Sequence, residues 1–450
     1  MKFASFRWTI VACLCLIACP LLADVTVKSG ESIEKAIDAA PNGATIQIEA
    51  GTFAEHLSIT KPLTLRGAGA DKTILQPQEQ ATQLTSEQKI QFVDRLLAEK
   101  NQEEQYRLVS EFIRHPVAPT IDVRGATGVT LQGLRVRGPA PKDVEGLTDD
   151  SLIQFERADG KVVDCVIIGP FMNGVSIAGG SSVDISNTLV AAMWGNGVRV
   201  FARSSDGKAQ QTSKVHLIDS DLRNCYHRCL TISCEGSVIE RCRISGSAWH
   251  GIRYDECSPT ITDCFIFGHA RSGIYASGNT HATVRGNVFW KNEMDGISCW
   301  FNNADVIEQN TFVGNLREGL ALCGDVKPTV SKNIFANNPV AIIESKINDR
   351  NGGTSGEPKP TIEGNQFWKN EKLVQRMEKD EPLPAGNEEV DPKFANPDAK
   401  DFAPADANGP GAHHAASLKS RWPIQPEEML IIPSTDTRDY QQWKKPAEAK

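Results

Sequence analysis

A chain of 450 residues, 40% of them hydrophobic, is long enough for two or three ordinary domains or for one long repeat array. Its formal charge of −8 arises from 56 acidic against 48 basic side chains with no basic stripe, which removes the electrostatic footprint of a nucleic-acid-binding protein. Nine of the twelve cysteines lie between Cys165 and Cys323 without a C-x-x-C pair, so zinc-ribbon and thioredoxin-like chemistry lacks its spacing, and an odd number cannot all pair with one another.

In chain order, Lys2 and Arg7 precede the apolar run from Trp8 to Cys19, which is too short to span a bilayer and reads as an export signal. Residues 1–23 are then the signal, with cleavage after Leu21-Leu22-Ala23, and the mature protein is expected outside the cytoplasm, secreted or periplasmic. The alternative is a lipoprotein box, Leu16-Ile17-Ala18-Cys19, with an anchor at Cys19. No later stretch has the length and apolarity of a membrane span. In residues 24–77, Ser32 caps a helix with Ile33, Ala36, Ile37 and Ala40 on one face, ended by Pro41-Asn42-Gly43. Thr45-Ile46-Gln47-Ile48, Gly51-Thr52-Phe53 and Leu63 to Gly67 follow as strands. Residues 78–116 have helical spacing: Thr85 and Gln88 make a capping box, and Ile90, Val93, Leu96 and Leu97 share a face, followed by Tyr106, Val109, Phe112 and Ile113. They predict an inserted helical hairpin.

Residues 117–376 carry a repeat. A small polar residue or cysteine opens a short strand at Gly133, Cys165, Asn187, Ser220, Cys242, Cys264, Asn287, Asn310, Asn333 and Asn365. Nine or ten residues later comes a glycine with an aliphatic residue, as in Gly251-Ile252, Gly273-Ile274, Gly296-Ile297 and Gly319-Leu320. From Ser220 to Asn333 the steps are 22, 22, 23, 23 and 23 residues. Longer steps hold loop insertions at Pro139 to Thr148, Ala202 to Ser213 and Lys346 to Pro358. Strands this short cannot bury their inward side chains alone, so successive coils must stack ~4.8 Å apart and bury them together. Cys242 and Cys264 share a register, which predicts a packed stack rather than a disulfide.

The Asn-x-Phe and Gly-Ile pattern, as in Asn287-Val288-Phe289 and Gly296-Ile297, resembles the parallel β-helix repeats of the carbohydrate-binding and sugar-hydrolase class. The stretch from Glu31 to Leu75 resembles the start of pectinesterase-like and periplasmic copper-maturation β-helices. The resemblance implies an all-β protein, a single-stranded right-handed parallel β-helix of the pectin-lyase-like kind, with its N-terminal helix plugging the open end. It leaves the activity open, because the fold hosts lyases, hydrolases, esterases, epimerases and non-enzymes. In residues 377–450, Asp391-Pro392-Lys393-Phe394 and Asp401-Phe402 resemble the closing segment of such helices. The remainder, including the incidental pair His413-His414, reads as an extended or disordered tail.

A solenoid turns sequence period into spatial neighbourhood. Two positions after the glycine, facing outward, stand Ser176, Arg199, Thr231, Arg253, Tyr275, Ser298 and Ala321. One position before it, with direction left open by the bend, stand Asn173, Asn196, Arg228, His250, Ser272, Asp295 and Glu318. The middle coils therefore gather groups that bind or react. For β-elimination or C5 epimerisation of a uronate, Arg253 is expected to neutralise the carboxylate, His250 to serve as base and Tyr275 as acid. His227, Arg228, Trp249, Asp255, Arg271, Asp295 and Trp300 are the expected substrate-binding residues, aromatic rings stacking on sugars and arginines holding carboxylates. Each also has a structural reading, as rim aromatic, surface charge or bend histidine.

The Asp-Pro-His-Asp motif of alginate epimerases and the arginine motifs of pectate lyases are absent. The expectation is an exported protein, monomeric, that binds and processes an acidic polysaccharide or cell-surface glycan by lyase or epimerase chemistry. The alternatives are a non-catalytic glycan-binding or periplasmic accessory β-helix, and a glycoside hydrolase using Asp295 and Glu318. No metal ligand is assigned. A Ca²⁺ site from Asp255, Glu256 and Asp295 is conceivable and ranks below plain solvation, and no Met-rich or His-rich cluster has copper-ligand spacing.

Overall fold

The computed structural model describes residues 24–77, 95, 118–138, 151–169, 172–193, 195–202, 212–346, 356–413, 420–423 and 425. The expected signal, the body of the helical hairpin and most of the loop insertion after Ala202 lie outside the described residues. Among those described, the strands form three sheets of thirteen, built from every third strand of the chain apart from its first two strands and its final hairpin. The first sheet begins with Val25–Val27 and Ala44–Ile48, the second with Gly51–Phe53, the third with Leu57–Ile59. Every strand pairs in parallel with its counterpart one coil on, except the final hairpin of Lys372–Arg376 with Lys379–Glu381. The chain is a right-handed parallel β-helix.

The helix Ile33–Ala39 closes the first coil as its pattern predicts. Ser32 Oγ accepts from the Lys35 amide at 3.2 Å, the Glu55 carboxylate accepts from the amides of Ile33 and Glu34, and Ile33 and Ile37 are buried. Four orphan amides open any helix, and these contacts satisfy three of them while holding the plug on the coil below.

Inside the solenoid, like stacks on like. Phe289, Phe312, Phe335 and Phe367 form a column with ring centroids 4.9, 4.7 and 5.2 Å apart. The polar marker is a ladder at one corner of each coil. The amides of Asn287, Asn310 and Asn333 each donate to the side-chain oxygen of the asparagine one coil on, at 3.0, 2.9 and 2.9 Å. Upstream, Cys165, Thr188, Ser220, Cys242 and Cys264 hold the same register. Thr188, rather than Asn187, occupies that position. The residue just before each ladder member takes the left-handed conformation, as at Asp164, Asn187, Asp219, Asp263 and Gln309, and asparagine is among the few side chains that favour it.

A second ladder, which the repeat search missed, runs five residues later through Asn292, Asn315, Asn338 and Asn370. His269 fills it one coil earlier: its Nδ1 meets the Ser247 amide at 3.1 Å and its amide donates to Asn292 Oδ1 at 3.3 Å. His269 is therefore a corner residue, fully buried, and burial pulls its imidazole down to about 3. All nine cysteines described are free and buried.

The C-terminal segment, including Phe394 and Phe402 of the expected closing stretch, lies against the solenoid. Outward positions of the second sheet are apolar at Phe265, Val288, Val313 and Ile334, and Phe394, Phe402 and Ala412 cover them. Farther along, Trp422 packs beside Val166, Leu189 and Ala191, Arg223 donates to the carbonyls of Trp422 and Pro423, and Arg135 donates to Gln425 Oε1. An apolar outer face needs a cover, and a proline-rich extended segment supplies one without forming a strand.

Candidate functional site

The residues singled out by register stand on the outer face of the third sheet. Its strands Arg228–Ile232, Ile252–Asp255, Ile274–Ser277, Ile297–Trp300 and Glu318–Cys323 are neighbours. Thr231, Arg253, Tyr275, Ser298 and Ala321 pair directly in register, as do Asp255, Ser277, Trp300 and Cys323. Alternation sends Ile252 and Tyr254 inward and leaves Arg253 and Asp255 outside. The column before the glycines, whose direction the bend obscured, faces the same side: His250, Asp295 and Glu318 are only 7%, 3% and 6% exposed but open onto a groove.

That groove has a volume of about 590 Å³. His250, Arg271, Tyr275, Asp295 and Trp300 meet in its wall, joined by Arg317, Glu318 and Lys346. Tyr275 stands between two of its aromatic neighbours, with its ring centroid 4.8 Å from His250 and 6.0 Å from Trp300. Burial raises the Tyr275 phenol above its usual range, so it keeps its proton at neutral pH.

His250 is held well below the usual imidazole range, first by burial and then by Arg228, Arg271 and Arg253. It is therefore neutral at physiological pH, and its Nδ1 is buried without a hydrogen-bond partner.

The other expected residues stand beside the groove rather than in its wall. Arg253 is bound by Asp255 through Nε at 2.6 Å and Nη2 at 3.0 Å, with its guanidinium 5.4 Å from the Tyr275 ring centre. A bidentate partner two residues along the same strand draws it away from the cleft. Arg271 lies 3.9 Å over the Trp249 ring, with Arg228 at 5.7 Å and His227 edge-on at 5.0 Å. His227, Arg228 and Trp249 thus form one cationic, aromatic shoulder next to the groove, joined to its wall by Arg271. Arg317 shares the bend register of Arg271 two coils on, a signal present in the sequence; Lys346 opens a loop insertion and has no such signal.

For calcium, Asp255 is committed to Arg253, Glu256 accepts from Asn279, and Asp295 is buried beside Glu318. Among the described residues no three His, Cys, Asp or Glu side chains gather as a metal site, and no helix there is long and apolar enough to cross a membrane.

A family model described as periplasmic copper-binding protein (NosD) matches residues 181–381. No curated protein matches the chain. Among solved structures, the periplasmic alginate epimerase AlgG is similar at a TM-score of 0.51 and 12% identity, over 82% of this chain and 84% of that one. A point mutant of AlgG gives 0.53 and 13% over the same shares. The PL6 family alginate lyase AlyGC gives 0.45 and 14%, over 90% of this chain and 60% of that one. At such identities the likeness is one of fold.

Proposed function

We propose that this protein is exported and binds an acidic polysaccharide along the third sheet, where it removes the C5 proton of a uronate residue. The observation that carries the reading is the meeting of a neutral, unpartnered imidazole with a cation and aromatic rings in one groove. A base must be unprotonated and unengaged to accept a proton, and His250 meets both conditions. The C5 hydrogen becomes acidic only when the adjacent carboxylate is neutralised. Arg271 in the groove wall supplies that charge, with Arg253 behind it. Tyr275 keeps the proton that would be returned to C5 from the other side, the step that completes an epimerisation. Trp300 and Tyr275 offer ring faces on which a pyranose can rest. The periplasmic names of the NosD model and of AlgG, and the latter's alginate epimerase activity, support the same reading, as does the signal-like N-terminus.

Purified protein would be incubated with alginate, pectate and glycosaminoglycans. Absorbance of unsaturated uronates reads elimination and NMR of the recovered polymer reads epimerisation. His250→Ala should lower either rate about 100-fold or more. Absence of both products, with glycan binding that survives His250→Ala, would leave a binding protein. A hydrolase is disfavoured, because Asp295 and Glu318 stand within hydrogen-bonding reach of each other, closer than the ~5 Å or more between the two carboxyl groups of a glycosidase.

A further inference from the structure

Asp295 and Glu318 are a pair of groups that C5 deprotonation leaves unused. They hold the same register position on successive coils and both line the groove. Asp295 Oδ2 accepts from Ser272 Oγ at 3.1 Å, and Glu318 Oε1 accepts from Arg317 Nη2 at 3.4 Å. Their other oxygens, Asp295 Oδ1 and Glu318 Oε2, are buried without a hydrogen bond, although Arg317 Nε lies 3.4 Å from the latter as an ion pair. Two orphaned acceptors on adjoining buried carboxyl groups are the mark of a missing proton, because one hydrogen between them satisfies both. Burial, and then Glu318, hold the Asp295 carboxyl well above the usual carboxylate range. The other groups around the pair are Arg317, Ser272 and the thiols of Cys299 and Cys323, with Arg271 and Lys346 in the same groove wall.

We propose that Asp295 and Glu318 share one proton and deliver it to the oxygen leaving C4, which makes the protein a polyuronate lyase. The inference rests on the deprotonation reading and selects its eliminating branch. His250 and Asp295 are two coils apart in one column, ~10 Å at the usual strand spacing. The coil of Tyr275 lies between them, so base and acid are separate groups whose side chains converge on one groove. Tyr275 is less suited to the acid's task, since its hydroxyl engages Ser277. In the step, His250 takes the C5 proton, the C–H electron pair forms the C4–C5 double bond, the C4–O bond breaks, and the departing oxygen takes the shared proton. Arg317 offsets the second negative charge that appears on the pair. Water then removes the proton from His250 and restores one to the carboxyls.

The test uses the full chain with alginate and pectate in D₂O, comparing wild type with Asp295→Asn and, independently, Glu318→Gln. Wild type should form unsaturated uronate and exchange deuterium into C5. Each variant should lose unsaturated product about 100-fold or more while C5 exchange continues. A uronate carrying a nitrophenyl group on O4, whose leaving oxygen needs no proton, should restore elimination. Variants that keep full elimination on the polymer, or that lose exchange and elimination equally on both substrates, overturn the shared-proton acid. Wild type that gives neither unsaturated product nor C5 exchange on either polymer overturns the deprotonation reading itself, whereas exchange without unsaturated product overturns the lyase.

Discussion

Replacing Asn310 by alanine should be among the most damaging single changes in the solenoid, although Asn310 touches no part of the groove. Its side chain is fully buried and makes four hydrogen bonds: it accepts from the amide and the side-chain nitrogen of Asn287, both at 3.0 Å, and donates to the Val284 carbonyl at 2.8 Å and to Asn333 Oδ1 at 3.1 Å. Asn287 Nδ2 keeps two other acceptors, and Asn333 Oδ1 still receives the Asn310 amide. The Asn287 amide loses its partner where water cannot replace it, while the Val284 carbonyl keeps its place in the parallel ladder. A buried donor left unpaired costs about 1–3 kcal/mol, and the lost bonds to the Val284 carbonyl and Asn333 add about 0.5–1.5 kcal/mol each. Their sum is a large share of the roughly 5–15 kcal/mol that holds an ordinary domain folded. The matched control is Asn187→Ala, an asparagine that looks like a ladder member in sequence but occupies the preceding left-handed corner with exposed side-chain bonds; its cost should stay at ~1 kcal/mol, chiefly from the backbone. Urea unfolding would be followed by far-UV circular dichroism, with hydrogen exchange at Asn287 reporting the local opening. Equal midpoints for the two variants, or a loss under ~1 kcal/mol for Asn310→Ala, would refute the orphaned-group argument.

Three further outcomes follow from contacts elsewhere. His269→Asn should flatten the acid side of the stability curve. Its folded value of about 3 lies below that of the unfolded chain, so the unfolded state binds more protons and stability falls as pH drops below ~6.5, by up to about 1.4 kcal/mol per unit. Asparagine would keep the ladder and remove that slope, and urea midpoints at pH 4 and pH 7 read the difference; an unchanged slope counts against the assignment. Glu344 points into the last full coil with no exposed surface, bound by Arg376 Nε at 2.9 Å and Nη2 at 3.0 Å. Because the Arg376 side chain is half exposed, Arg376→Ala should cost about 1.5–3 kcal/mol through the lost charge-assisted bonds, whereas the double change to Glu344→Leu and Arg376→Met should be near neutral. Phe402→Ala, at 3% exposure against Trp290 and Phe394, should cost ~3 kcal/mol or more and raise dye binding to the uncovered face. A loose tail would lose nothing measurable in thermal melting.

The repeat was legible because stacking forces the same residue type into the same corner every 22 or 23 positions. Asn287, Asn310, Asn333 and Asn365 and the Gly-Ile pairs print that requirement directly on the chain. The slip to Asn187 arose because a corner needs two residues, one tolerant of left-handed backbone and one able to bridge coils, and asparagine serves both. The second ladder was equally visible, five residues after the first at Asn292, Asn315 and Asn338, but its upstream members His269 and Ser247 disguise it. Register alone brought His250, Tyr275, Asp295 and Trp300 to one face. It could not show that Arg253 would be held by Asp255, since two outward neighbours on one strand choose their partners by side-chain reach. The apposition of Asp295 and Glu318 was readable as a register coincidence; their burial was not, because it depends on how the bend turns the column into the groove.

The covering C-terminal segment changes the mechanics of the whole molecule. A stack of coils bound only to their neighbours behaves as a spring, able to flex or fray from either end. Here Ala412 is fastened to Thr311 and Gln425 to Arg135, across 101 and 290 residues of chain. Each contact acts as a stay on the coil it reaches, resisting bending and tying that coil to chain far along the sequence. Contacts this distant in sequence form late and slowly. The early coils can be wound before these contacts exist, yet they are locked only once Ala412 and Gln425 have docked.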